Sequence, residues 1–201
     1  MELTKDEIIK ASIIEAAQKL FQHYGLSKTT MEDIAKSLNK SKGSLYYYFT
    51  TKEQIFEAVV QKEKNIILND IKTAMAQANT AEEKFKVFAL TKFNEIKKRE
   101  ILYKIIHDDI LDNVCLFQMI RKRYDSIELE IIKEILTFGI KNKEFGINGN
   151  KQLDAVALVC AITLRGVQMD FIFDTNTDCS ANDDLLNVSI DMLVKALKNC
   201  K

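Results

Sequence analysis

The chain has 201 residues, 47% of them apolar, and its charges cancel to a formal net of zero. That is enough apolar material for one sizeable core or two small ones, and it argues against disorder. No proline, only six glycines and scarce period-two alternation exclude a sheet-rich fold and point to an all-α one, and no apolar run approaches the roughly 20 residues that a membrane-spanning helix needs.

Residues 1–7 carry too many charges and too short an apolar run for a signal peptide, which places the chain in the cytoplasm. Ile9, Ile13, Ala16, Ala17, Leu20 and Phe21 then recur at helical spacing, and Tyr24-Gly25 ends the run on a glycine cap. The next helix is short. It can start at Thr29 or Thr30, whose hydroxyl caps the free amides, with Glu32 and Asp33 favoured by the helix dipole. Met31, Ile34, Ala35 and Leu38 form its inward face, while Lys36 and Ser37 stay outside. Asn39 tolerates the left-handed conformation that stops a helix abruptly.

Ser41 caps a second short helix, with Lys42, Gly43 and Ser44 in its first turn and Leu45 and Phe49 as its strictly apolar anchors. Two short helices around a tight turn, the second studded with Lys, Ser and Tyr, are how a protein presents a helix to DNA. A recognition helix enters the major groove by its N-terminal residues, and Gly43 leaves no side chain to hold the backbone away. Lys42 and Ser44 can bond to base edges or phosphates, and Tyr46, Tyr47 and Tyr48 add hydroxyls and flat faces. Lys52, at the start of the next helix, can meet a phosphate together with that helix's free amides. Over 28–52 the lysines 28, 36, 40, 42 and 52 stand against Glu32 and Asp33, so basic character is concentrated at the turn.

Thr30, Ile34, Ala35, Ser41, Gly43, Leu45, Tyr46, Phe49, Lys52 and Glu53 fall in the order and spacing T-x-x-x-I-A, a short turn, then S-x-G-x-L-Y-x-x-F-x-x-K-E. The stretch resembles the DNA-binding domain of the TetR family of bacterial transcriptional regulators, and Ala16, Ala17, Leu20, Phe21 and Gly25 extend the resemblance upstream. It departs at the turn, where the family commonly has Ala-Gly-Val and this chain has Leu38-Asn39-Lys40; Asn39 replaces glycine sterically, but Lys40 replaces a small apolar residue. The resemblance implies a helix-turn-helix domain over 1–52 and a helical effector-binding and dimerisation domain over 53–201. It also implies a palindromic double-stranded DNA operator, repression, release by a small molecule, and contacts to the operator from Thr29, Thr30, Ser41, Lys42, Gly43, Ser44, Tyr46, Tyr47, Tyr48 and Lys52.

Beyond the turn, a helix over 53–78 carries Ile55, Phe56, Val59, Val60, Ile66, Ile67 and Ile71 as its stripe and is roughly 40 Å long. In the resembling family this helix swings the DNA-binding domain. Further helices are expected over 81–98, 100–111, 114–143, 151–173 and 183–199. The last two are apolar over more than one face, and the surplus suggests a second subunit. The resemblance implies that they form the homodimer interface.

Phe88, Phe93, Tyr103, Phe117, Tyr124 and Met169 are candidates to line an effector pocket, with His107, Arg165 and Gln168 as orienting polar groups. As a set they favour a small hydrophobic or aromatic effector over a sugar or nucleotide. The same aromatics also read as plain core, His107 as a surface residue, and Arg165 as the partner of Asp170 or of the other subunit. His107-Asp108-Asp109 looks like the metal-binding pair of helical phosphohydrolases, but His23 is the only other histidine and no Glu-x-x-His pair exists. No catalytic residue, metal or cofactor is therefore expected. Cys115, Cys160, Cys179 and Cys200 form no Cys-x-x-Cys pair and read as free thiols. Two other non-enzymatic readings remain: a constitutive DNA-binding regulator with a filled core, and a helical ligand- or protein-binding module that has lost its DNA target.

Overall fold

Helix α1 spans Lys5–Tyr24 because both of its ends are specified locally. The Thr4 hydroxyl accepts the Glu7 N–H and the Glu7 carboxylate accepts the Thr4 N–H at 2.8 Å, closing a capping box. At the other end Gly25 turns the chain with φ 85° and donates its N–H to the Phe21 carbonyl. The computed structural model describes residues 4–99, 114–173 and 179–199, and among these all regular structure is helical.

Helix α2, Met31–Ser37, starts with a second capping box between Thr30 and Asp33, and helix α3, Lys42–Tyr48, is capped by Ser41. Asn39 adopts φ 53° between them. The Lys40 N–H reaches back to the Ala35 carbonyl at 3.0 Å, so the turn closes through backbone and makes no demand for a small apolar side chain there.

These short helices pack on one core. Ile13, Ala17, Phe21, Ile34, Leu45, Ile55 and Phe56 are fully buried, and the rings of Phe21 and Phe56 meet edge-on with centroids 5.5 Å apart. Each large apolar side chain so buried contributes about 1.5–3 kcal/mol, which is how helices of seven residues, unstable alone, persist.

Helix α4, Lys52–Met75, buries Ile55, Phe56, Val59, Val60, Ile67 and Ile71 as its periodicity predicts, but Ile66 is 40% exposed. Glu63 takes its place in the stripe, four residues from both Val59 and Ile67 and only 9% exposed. Its carboxylate accepts Gln18 Nε2 at 2.9 Å and Arg99 Nε, which satisfies the charge that burial would otherwise penalise.

The chain divides into two compact units, Met1–Ile66 with Arg99–Ile120, and Ile67–Lys98 with Arg121–Lys201. The remaining helices are α5, Ala81–Lys97; α6, Val114–Lys141; α7, Gly149–Phe173; and α8, Cys179–Asn199. The helix expected over 100–111 lies outside the described residues.

In the second unit α8 packs against both α7 and α5. Phe85, Phe88, Ile96, Ile132, Ile135, Cys160, Leu186 and Ile190 are buried in its core. Gly139 on α6 permits a close approach: a Cβ there would stand 2.3 Å from the Phe145 ring and 2.8 Å from the Ala81 Cβ. The Glu144 carboxylate accepts the Ala81 N–H at 2.8 Å, capping α5 from outside its own sequence. Lys97–Asp183, Lys86–Asp191 and Lys198–Glu82 pair α5 with α8 at the rim.

Within α7, the stretch Gly149–Met169 is long and apolar enough to cross a membrane by length and composition, which corrects the expectation that no run comes near that length. Leu158, Val159 and Ile162 of α7 and Leu185, Val188 and Met192 of α8 are all exposed. A helix with one apolar face on its neighbour and another facing outward reaches the same hydropathy as a membrane span.

Candidate nucleic-acid interface

The helix-turn-helix begins at the carbonyl end of α1. Thr29 is buried, and its hydroxyl donates to the Gly25 carbonyl at 2.7 Å, tying the α1–α2 loop to the α1 cap. Its side chain points into the fold. Thr30 is exposed, but its hydroxyl donates to Asp33 at 2.6 Å while accepting the Asp33 N–H. The Thr30 hydroxyl, and then its N–H, hold the Asp33 carboxyl below its ordinary pKa, and the hydrogen bond from Lys36 does the same for Glu32.

On α3 the Ser41 oxygen accepts the Ser44 N–H at 3.1 Å, leaving the hydroxyl proton to donate elsewhere. Lys42 and Gly43 are exposed and Ser44 is half-buried. A Cβ on Gly43 would meet nothing nearer than the Ser41 Oγ at 4.0 Å, and its φ is not positive. The fold therefore does not require glycine there, although a glycine within a helix costs about 1 kcal/mol relative to alanine.

Lys42 holds its ammonium 5.9 Å from the centroid of the Tyr46 ring, so the charge and the aromatic face are presented together. Tyr46 is 43% exposed and Tyr47 77%, with the Tyr47 ring edge-on to Tyr48. Tyr48 differs: it is half-buried and its hydroxyl donates to Asp6 at 3.0 Å. Desolvation, then that hydrogen bond, raise the phenol's pKa above its ordinary value. Asp6 thus meets α3 from 42 residues away, a contact with no local signal in the sequence.

Thr29, Thr30, Met31, Glu32, Lys42, Tyr46 and Lys52 line a cleft of about 390 Å³. Within it, Lys52 is turned toward the α1–α2 loop. Its ammonium donates to the carbonyls of Leu26 at 2.8 Å, Ser27 at 3.2 Å and Thr29 at 3.2 Å. These three N–H bonds tie the α1–α2 loop to the first turn of α4.

Of the effector candidates, Phe88 and Phe93 are core residues at 1% and 3% exposure, and Gln168 is buried with them in the second unit. Tyr124, Arg165 and Met169 are half-buried. Arg165 pairs with Asp125 at 3.0 Å, and the side chain of the expected partner Asp170 lies outside the described residues. Tyr103, His107 and the Phe117 side chain lie outside the described residues. Sequence reading missed the polar groups of this interior: Glu95 is buried and pairs with Lys98, and Lys92 pairs with Glu128 where both are largely buried. Among the described residues no group of three His, Cys, Asp or Glu side chains could hold a metal.

Residues 13–59 match the model of the family described as bacterial regulatory proteins, tetR family. The chain is 31% identical over 139 residues to IcaR of Staphylococcus aureus, a negative transcriptional regulator of the biofilm operon icaADBC, covering 63% of this chain and 75% of that one. It is 25% identical over 162 residues to the transcriptional regulator QacR of the same species, covering 79% and 84%. Among solved structures, a transcriptional regulator from Cytophaga hutchinsonii superposes with a TM-score of 0.73 at 31% identity, covering 93% of this chain and 97% of that one.

Proposed function

Because this chain belongs to the TetR family of DNA-binding transcriptional regulators, which are not enzymes, we propose that it is a cytoplasmic repressor released from a palindromic operator by a small hydrophobic or aromatic effector. The observation that carries the reading is the first turn of α3: an unobstructed Gly43 flanked by exposed Lys42 and half-buried Ser44, with Tyr46 and Tyr47 standing outward one turn later. In this reading residues 1–52 read DNA. Lys42 and Ser44 reach base edges or phosphates, Ser41 donates its free proton, Tyr46 and Tyr47 lie along the sugar-phosphate walls, and Tyr48 and Thr30 set the geometry from behind.

Residues 53–201 take the effector and the second subunit. The exposed Val159, Ile162, Val188 and Met192 on packed helices support a homodimer through α7 and α8, and a two-fold dimer suits a palindrome with half-sites about one DNA turn apart. The effector acts only through its difference in affinity for the DNA-bound and released states. The buried Phe88 and Phe93 favour a second reading, a constitutive regulator with a filled core.

The test is to footprint the purified chain on fragments selected from its own upstream DNA, with and without a crude lipid extract. A protected palindrome that disappears with the extract is the expected result. Protection that persists with every extract would favour the constitutive reading, and no selective protection would remove the regulator hypothesis.

A further inference from the structure

Among the described residues the buried polar side chains are Thr29, Glu63, Glu95 and Gln168. Three of them have partners that account for their burial. Thr29 donates to the Gly25 carbonyl, Glu63 accepts Gln18 and Arg99, and Glu95 pairs with Lys98. Gln168 is the exception: it is 7% exposed, and no described residue hydrogen-bonds its amide. A buried amide in that condition costs stability, so its presence asks for a reason.

Its place on α7 says which way it faces. The buried Ala157, Ala161 and Leu164 lie eleven, seven and four residues before it, one stripe at helical spacing. The exposed Val159, Ile162 and Gly166 lie nine, six and two residues before it, on the other side of the helix. Gln168 therefore faces the interior of the second unit, away from the outward apolar residues. No nitrogen or oxygen of a described buried side chain is both sealed off and unpaired. The amide thus keeps contact with a space that water or a small molecule can enter.

Charge in the same unit is already matched. Lys92 pairs with Glu128, both largely buried, and Arg165, one turn from Gln168, pairs with Asp125 at 3.0 Å. An ionised guest would have to break such a pair or be buried without a counter-charge, and both are strongly unfavourable. A neutral guest meets neither penalty. Gln168 offers it two donors and an acceptor without charge.

We propose that Gln168 selects an uncharged effector: an apolar or aromatic molecule with one neutral hydrogen-bonding group, an amide, ester or hydroxyl, and not a carboxylate, phosphate or ammonium. The inference rests on the effector reading above and narrows it. It also gives the amide its reason, since the bond missing from the free chain is the one that the effector supplies.

The crude lipid extract is separated by ion exchange into acidic, basic and neutral fractions, and each is tested for release of the wild-type chain from the footprinted fragment. Strongest release by the neutral fraction is expected. Stronger release by the acidic or basic fraction would overturn the inference while leaving an inducible regulator. Release by no fraction would remove the effector reading, and the inference with it.

Gln168→Leu adds a readout that needs no effector. An apolar side chain of similar size replaces the amide, so the free variant should melt about 2–4 °C above the wild type. The neutral-fraction dose for half release, referred to each chain's own operator affinity without extract, should rise about tenfold, the loss of one hydrogen bond. A midpoint that fails to rise, or a variant that does not fold, would show that the amide serves the fold and would overturn the inference. An unchanged dose for half release would overturn it as well.

Discussion

In the first unit the candidate DNA-contacting residues cluster on and around α3, the second of two seven-residue helices whose starts are fixed by partners three residues away, Thr30 with Asp33 and Ser41 with Ser44. In the second unit the aromatic candidates Phe88 and Phe93 are buried, and the polar groups near the interior are tied into pairs between distant elements, Lys92 with Glu128 and Arg165 with Asp125. A surface that reads a polymer is specified by local rules and stays open. The buried interior of the second unit is specified by packing across the whole unit.

The sharpest break in that comparison concerns the outward apolar residues of the second unit. Ile162→Asp combined with Val188→Asp puts two unpaired carboxylates where the dimer reading needs an apolar contact, so self-association should weaken by about 100-fold or more. Sedimentation at micromolar concentration should then show a monomer of 23.1 kDa. A persisting dimer would exclude α7 and α8 as the interface.

Gly43→Ala tests the open surface of the first unit. Nothing within the fold meets the added methyl, so stability should rise by up to about 1 kcal/mol while operator affinity falls by about 1–3 kcal/mol. Stability and affinity rising together would show that no backbone approaches Gly43.

In the second unit the analogous Gly139→Ala should do the reverse. The Phe145 ring and Ala81 occupy the space, and an overpacking cost of about 1–3 kcal/mol exceeds the helix-propensity gain of about 1 kcal/mol. The urea midpoint should fall with DNA binding unchanged; an unchanged midpoint would mean that the Phe145 loop yields freely.

The smallest effect distinguishes the caps. Thr30→Ala should cost about 1 kcal/mol at pH 7. The Asp33 carboxyl is held below its ordinary pKa by Thr30, so its stabilising contribution is complete above the ordinary carboxylate range and is lost as the pH falls through the lowered value. The difference between wild type and Thr30→Ala should therefore shrink on acidification. A penalty constant from neutral to strongly acid pH would separate the cap from the carboxylate's charge.

Legibility in the sequence followed the same division. The caps at Thr30 and Ser41, the glycine stop at Gly25 and the left-handed Asn39 were readable because each depends on residues within one turn. The ties that Thr29 and Lys52 make to the α1–α2 loop were not legible because their partners are backbone carbonyls, which carry no letter in a sequence. Glu63 was missed because it interrupts an apolar stripe, and the groups that make its burial tolerable, Gln18 and Arg99, lie 45 and 36 residues away. Ile66 was placed in the core by its spacing of seven from Val59, yet it is 40% exposed. In the second unit the helices were legible from periodicity, but the pairing of Arg165 with Asp125 joins two helices whose register no local pattern fixes.

The outward apolar residues of α7 and α8 have a consequence for control as well as for assembly. Under the dimer proposed above, a chain whose sticky face is covered only by a second copy ties its own folding stability to its copy number. Below the dimer dissociation constant, occupancy of a palindrome rises with the square of chain concentration. Repression then switches on over a narrow range of expression, and a few lost molecules suffice to open the promoter before any effector arrives.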